Sequence, residues 1–177
     1  MFSIIIPLYN KADYIAETLK SVLNQTYCDY EVIVVNDSST DNSLEVASSF
    51  QDERIHIYTK ENEGVSAARN YGIMHAKYDY IAFLDADDWW EPDKLKKQLK
   101  KLEETNAILC TTARELVSES GESLKCVIPV KERITYKMMA YQNWINCSSV
   151  LLPRRIMLEF PMMHDEVHED YITWMKI

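Results

Sequence analysis

The chain has 177 residues, 47% of them hydrophobic and 27% charged, with a formal net charge of −9. That length suits one domain, and that composition excludes a disordered chain. The acidic balance argues against nucleic acid as a partner, because phosphate-backbone binding needs clustered positive charge. It leaves a nucleotide open, since a divalent cation can bridge an acidic site to phosphate oxygens.

No apolar run approaches the ~20 residues that cross a bilayer. The N-terminus shows no basic, apolar and cleavage-site sequence of a secretory leader. Cys28, Cys110, Cys126 and Cys147 are scattered without metal-ligand spacing. The expectation is a cytoplasmic protein with reduced thiols.

Residues 2–6 read as a strand rich in β-branched side chains. Residues 14–23 carry Ile15, Leu19, Val22 and Leu23, the apolar stripe of a helix lying on a sheet. A second strand is predicted over 31–35. A polar stretch over 38–43 then leads into a helix reaching residue 50. A short strand over 55–58, a helix over 65–76 and a fourth strand over 80–84 follow. Pro92 opens the next helix, where proline is tolerated in the first turn, and Leu95, Leu99 and Leu102 form its apolar stripe. Lys94, Lys96, Lys97, Lys100 and Lys101 read as its solvated face, with contact to anionic lipids as the lesser reading. Beyond residue 106 the rhythm loosens. Strands are expected over 107–112 and 148–152, a helix over 136–143, and a hairpin-like turn at Gly121. Strands alternating with helices predict an α/β sandwich with a largely parallel sheet.

Three strands end in polar clusters: Pro7, Tyr9 and Asn10; Asn36 and Asp37; and Asp85, Asp87 and Asp88. In parallel sheets, ligands bind beyond the carboxyl ends of the strands, so these clusters are expected to converge. Asp85 and Asp87 at i and i+2 of an extended chain face one side. Two carboxylates beside a diphosphate call for a hard cation between them, Mg²⁺ or Mn²⁺. The plainer reading is a solvated acidic turn. Asp37 is either a hydrogen-bond acceptor for a base or ribose, or the cap of the turn that follows. Tyr9 either stacks on a base or is a rim aromatic. Arg69 reaches a phosphate, or orders the acids around it, or is a surface charge. Trp89 and Trp90 divide between packing under the site and lining an acceptor groove. Glu169 and Asp170 offer a general base, or simply negative charge in the first turn of a helix. His164 and His168 are candidate ligands on weak spacing.

Together these segments resemble glycosyltransferase family 2, with its GT-A fold. The resemblance rests on Phe2-Ser3-Ile4-Ile5-Ile6-Pro7-Leu8-Tyr9-Asn10, on Glu31 through Asp41, and on Asn62-Glu63-Gly64-Val65-Ser66-Ala67-Ala68-Arg69-Asn70. It continues through Tyr80-Ile81-Ala82-Phe83-Leu84-Asp85-Ala86-Asp87-Asp88 and His168-Glu169-Asp170-Tyr171. It implies a Rossmann-like three-layer α/β/α sandwich in one domain, residues 1–177, with a nucleotide-binding half (1–105) and an acceptor-side half (106–177). It implies an inverting, metal-dependent transfer from a nucleoside-diphosphate sugar, UDP-linked by preference, to a saccharide or lipid-linked saccharide acceptor. Cell-surface polysaccharide or glycolipid synthesis at the inner face of the membrane is the setting it implies. Pro7, Tyr9, Asp37, Arg69 and Asp85 would hold the nucleotide, Asp87 the Mn²⁺ or Mg²⁺ ion, and Asp170 would be the base. Members of the family continue past the Glu-Asp motif, so a segment shaping the acceptor site is expected beyond Ile177. The runner-up, a sugar-phosphate nucleotidyltransferase, calls for a glycine-rich loop where this chain reads Pro7-Leu8-Tyr9-Asn10-Lys11. A nucleotide-sugar-binding fragment without activity is the third reading.

Overall fold

A computed structural model describes residues 1–163 and 168–177. Its elements run β1 (Phe2–Leu8), α1 (Ile15–Leu23), β2 (Tyr30–Asn36), α2 (Ser43–Ser48), β3 (Ile55–Thr59), α3 (Val65–His75) and β4 (Tyr80–Phe83). There follow α4 (Lys94–Thr105), β5 (Arg114–Val117), β6 (Ser123–Ile128), α5 (Tyr136–Met139), β7 (Leu151–Pro153), α6 (Arg154–Glu159) and α7 (Glu169–Lys176). The central sheet has the order β3-β2-β1-β4-β7. The pairings β1–β2, β1–β4 and β2–β3 are parallel, and β7 runs antiparallel to β4.

Alternation along the strands divides the core in two. Ile4, Ile6 and Leu8 of β1, Val32 and Val34 of β2, and Ala82 of β4 face one layer, where Ile15, Leu19 and Val22 of α1 and Leu95 and Leu102 of α4 meet them. Ile5, Ile33, Val35, Ile81 and Phe83 face the other, against Ala68 and Ile73 of α3, Met157 of α6 and Trp174 of α7. Successive residues of a strand point to opposite faces, so a strand covered on both sides reads as a continuous apolar run. That run is what residues 2–6 and 32–35 show. The three-layer sandwich is therefore present, with helices on both faces of a mostly parallel sheet.

Four sequence expectations change. Residues 107–112 form no strand and contribute only an isolated bridge between Cys110 and Leu151. The helix expected over 136–143 is the single turn α5, and the expected strand over 148–152 is a 3-10 turn, Cys147–Ser149, before β7. Gly121 does turn a hairpin, but its strands β5 and β6 form a separate two-stranded sheet with exposed side chains. Lys94 does not belong to the solvated face of α4. It is buried, its Nζ donates to Gln98 Oε1 at 2.6 Å, and it sits 3.8 Å over the Trp90 ring. Burial pushes its pKa down to about 7. The four cysteines are free thiols.

Helix α3 lies close on β1 because Gly72 has no side chain. A Cβ there would come 2.6 Å from Ile5 Cγ2 and 3.4 Å from Val35 Cγ2, both on fixed, β-branched strand residues. Gly72→Ala should therefore lower the unfolding free energy by about 1–3 kcal/mol, the cost of overpacking a core. A urea titration followed by circular dichroism checks this; an unchanged midpoint would show that α3 lifts off the sheet without cost.

Candidate active site

The carboxyl ends of β1, β2 and β4 open on one cavity of about 400 Å³, lined among others by Pro7, Tyr9, Lys11, Asp37, Gly64, Arg69, Asp85 and Asp87. Six of the seven residues singled out in the sequence thus meet at one place. Asp170 is not among the residues lining it.

The loops after β1 and β2 are stitched to each other. Asn10, left-handed at φ 50°, accepts from Thr40 N at 2.8 Å through its side-chain carbonyl. Lys11 N donates to Ser43 Oγ at 2.7 Å, and Ala12 N donates to Asp41 Oδ2 at 3.1 Å. A hydrogen bond from the Ser43 hydroxyl, with further backbone donors, holds Asp41 below the usual carboxylate range.

Asp37 is buried and does more than cap its own turn. Its Oδ1 accepts from Lys60 Nζ at 3.0 Å and Glu63 N at 3.1 Å, and its Oδ2 accepts from Gly64 N at 2.8 Å. It therefore moors the loop that leads into α3. The turn after it is capped instead by Asn36, whose Oδ1 accepts from Ser39 N at 3.1 Å. Each carboxylate oxygen has two acceptor sites, so Asp37 keeps capacity toward the cavity. Gly64 enters α3 at φ 90°, a conformation that side chains rarely adopt.

Arg69 is 3% exposed. Its Nη2 donates to Asp85 Oδ1 at 2.6 Å and its Nη1 to Glu169 Oε1 at 2.7 Å. Burial works against the positive charge, but the acids around it outweigh burial and raise its pKa. This is the ordering role, not the surface charge. The two acids of Glu169-Asp170 are thereby placed differently. Glu169 grips Arg69, while Asp170, half-buried beside it in the first turn of α7, accepts from Tyr171 N at 2.7 Å. Burial pushes the Asp170 carboxyl up, and the charges of Glu169 and Asp85 add to that rise.

The acidic segment turns where an extended chain was expected, with Asp88 N donating to Asp85 O at 3.0 Å. Asp85 and Asp87 still both reach the cavity. The turn is pinned from beneath. Thr18 Oγ1 donates to Ala86 O at 2.9 Å, Asp85 N donates to Ser148 Oγ at 3.0 Å, and Trp90 Nε1 donates to Ser148 O at 2.7 Å. Trp90 is thus the packing residue of the pair, and Trp89 is exposed. Asp87 is held by Lys11, Nζ to Oδ2 at 2.6 Å.

Among the described residues, no three His, Cys, Asp or Glu side chains gather around one point. That does not conflict with Mg²⁺ or Mn²⁺ chemistry. Such ions are held by one or two carboxylates, waters and substrate phosphates rather than by a protein cage. Asp87 on the cavity lip, with Asp85 two residues away, fits that donor set. His168 sits left-handed at the start of α7, at φ 65°, and His164 lies outside the described residues. Lys11, Lys60 and the Arg69–Glu169 pair escaped sequence reasoning as site elements. Their partners are 23 to 100 residues away, beyond any local pattern.

The sheet, its two helical layers and the cavity at the strand ends define an α/β domain of GT-A type. The model of the family described as Glycosyl transferase family 2 matches residues 3–159, and the chain belongs to that family. TuaG of Bacillus subtilis (strain 168), named for teichuronic acid biosynthesis, is 36% identical over 180 residues, covering 100% of this chain and 71% of TuaG. WfgD of Escherichia coli, a UDP-Glc:alpha-D-GlcNAc-diphosphoundecaprenol beta-1,3-glucosyltransferase, is 34% identical over 180 residues, covering 100% of this chain and 69% of WfgD. Among solved structures, S. aureus TarS 1-349 in complex with UDP superposes with a TM-score of 0.82 at 22% identity, covering 99% of this chain and 54% of that one. The mannosyltransferase PcManGT from Pyrobaculum calidifontis, in complex with GDP-Man and Mn²⁺, superposes with a TM-score of 0.70 at 22% identity, covering 97% and 50%. These superpositions establish the fold, and the chain spans about half the length of those two structures.

Arg69→Met should destabilise the protein by about 3 kcal/mol, because it leaves two partly buried carboxylates without their cation. Arg69→Lys should recover only part of this, since an ammonium lacks the planar fork that reaches both. Thermal unfolding of the two variants checks it, and wild-type stability in Arg69→Met would return Arg69 to the surface charges.

Proposed function

We propose that this chain is the donor-binding and catalytic portion of an inverting glycosyltransferase. It transfers a sugar from a UDP-sugar to a hydroxyl of a saccharide acceptor, lipid-linked or part of a cell-surface polysaccharide. One observation carries the reading: a single buried guanidinium joins Asp85, on the nucleotide cavity, to Glu169, whose neighbour is the half-buried Asp170. Donor end and candidate base are thereby held in one frame. The pathways for which TuaG and WfgD are named support the acceptor class, and the UDP in the TarS complex supports the base.

In this reading Pro7 and Tyr9 flank the base, Asp37 accepts its hydrogen bonds, and Asp85 meets the ribose. Asp87 would hold a Mn²⁺ or Mg²⁺ ion, which would supply positive charge for the departing diphosphate. Asp170 takes the proton of the acceptor hydroxyl as that oxygen displaces the diphosphate from the anomeric carbon in one in-line step. Burial readies Asp170 for this, because a carboxylate raised toward neutrality is a stronger base. Among the described residues no helix is long and apolar enough to cross a membrane. Work on a lipid-linked acceptor is placed at the inner membrane face, which the exposed Lys96 and Lys101 of α4 suit.

UDP should raise the melting temperature in Mn²⁺ by roughly 5–10 °C at ~100-fold above its Kd, and much less in EDTA. Equal shifts in both buffers would remove the metal bridge from the reading.

Asp170→Asn should keep UDP affinity and lose ~10²-fold or more of transfer to a lipid-diphosphate-linked saccharide. The base must be ionised to act, and its pKa is raised. Activity should therefore fall as pH drops through a value above the usual carboxylate range, and the variant should lose that acid limb. Retained transfer with an unchanged pH profile would make Asp170 a helix-start residue only.

A further inference from the structure

The ion pair at the cavity mouth has no part in the reading above. Lys11 Nζ lies 2.6 Å from Asp87 Oδ2, and the two side chains are 38% and 40% exposed. Both residues line the cavity. They are 76 positions apart in sequence, and each is carried by a fastened backbone. Lys11 is fixed through its N–H to Ser43, and Asp87 by the turn that Thr18 and Ser148 pin.

The site's carboxylates differ in how firmly they are held. Asp37 is buried under Lys60 and two backbone N–H groups, and Asp85 is locked to buried Arg69. Among the described residues, Asp87 has Lys11 as its ion-pair partner, and that partner stands in solvent on a flexible four-carbon stem. An exposed pair of this kind shifts an equilibrium by less than about tenfold, so it exchanges readily. A diphosphate in the cavity offers an ammonium more negative charge than one carboxylate does. A dication approaching Asp87 meets the ammonium as a like charge already in place.

We propose that Lys11 is a resident counter-ion that occupies Asp87 until a nucleoside diphosphate draws its ammonium away, so that Asp87 takes a divalent cation readily only once the nucleotide is present. The proposal rests on the metal-diphosphate reading of the site. It makes cation and nucleotide bind cooperatively, and the coupling is reciprocal by thermodynamic linkage. It also gives the acidic turn a means to stay neutralised in the empty cavity.

The test is a titration of Mn²⁺ alone, read from the electron paramagnetic resonance of free aqueous Mn²⁺, repeated with saturating UDP. Wild type, Lys11→Met and Asp87→Asn are compared, with Lys11→Gln as a second neutral variant should the methionine side chain aggregate. Without UDP, Lys11→Met should bind Mn²⁺ several-fold more tightly than wild type. With UDP bound the two should agree, so the coupling shrinks by the same factor. In EDTA, UDP alone should bind Lys11→Met several-fold more weakly. An unchanged Mn²⁺ affinity without UDP overturns the proposal, as does an equal gain with and without UDP, which would be a general charge effect. Asp87→Asn separates the two levels. If it abolishes Mn²⁺ binding while Lys11→Met changes nothing, only the counter-ion role fails. If Asp87→Asn leaves Mn²⁺ binding intact, the metal reading fails and the proposal with it.

Discussion

The architecture of the site depends on one buried positive charge. Arg69 leaves the first turns of α3 and is removed from water, a position that a guanidinium holds only with charged partners. The partners come from segments far apart in sequence: Asp85 from the loop after β4, Glu169 from the start of α7. Next to it, Asn70 bonds Met162 in both directions, Nδ2 to Met162 O at 2.7 Å and Met162 N to Oδ1 at 3.0 Å. Two successive residues of α3 thus clasp the segment at Met162 and the start of α7. A helix whose other face packs on β1 thereby ties these late segments to the sheet.

Beside the cavity the backbone is held in unusual shapes. Asn10 and Ser38 are left-handed at φ 50° and 58°, and Gly64 is at φ 90°. Such conformations persist where neighbouring hydrogen bonds over-determine them. Asn10 meets Thr40, Ser38 Oγ donates to Lys60 O at 2.7 Å, and Gly64 N is taken by Asp37. The result is a rigid cradle with one loose charge pair at its mouth. In the proposed reading that division would let the site hold a nucleotide in register and still admit and release it.

Much of the fold was legible because parallel strands buried on both faces write themselves as apolar runs, and amphipathic helices such as α1 write a clean stripe. Convergence of Pro7, Tyr9, Asp37, Asp85 and Asp87 followed from strand direction alone. What failed to show had physical causes. The segment 107–112 reads as a strand, but only Cys110 pairs, with Leu151. The strands β5 and β6 are exposed on nearly every residue, so no burial periodicity marks them. The turn at Asp85–Asp88 is set by Thr18 and Ser148, far away in sequence. Lys94 looked like its solvated neighbours because charge is visible in a sequence and a Trp90 ring beneath it is not. Asp170 was readable as an acid in a first turn, but its division of labour with Glu169 depends on which of them reaches Arg69.

The reach of that arginine also sets an order in time. Asp37 finds Lys60 and Gly64 within 27 residues, and Arg69 finds Asp85 within 16. Glu169 stands 100 residues further along the chain than Arg69. The acidic turn that lines the cavity is pinned by Ser148, so at roughly 5–20 residues per second Glu169 is made roughly 1–4 seconds after this last pin. During that interval a nascent chain carries a guanidinium with one of its two carboxylates. Pairing of the buried arginine is therefore a late event of biogenesis, separated by the genetic order of the chain from assembly of the cavity beside it.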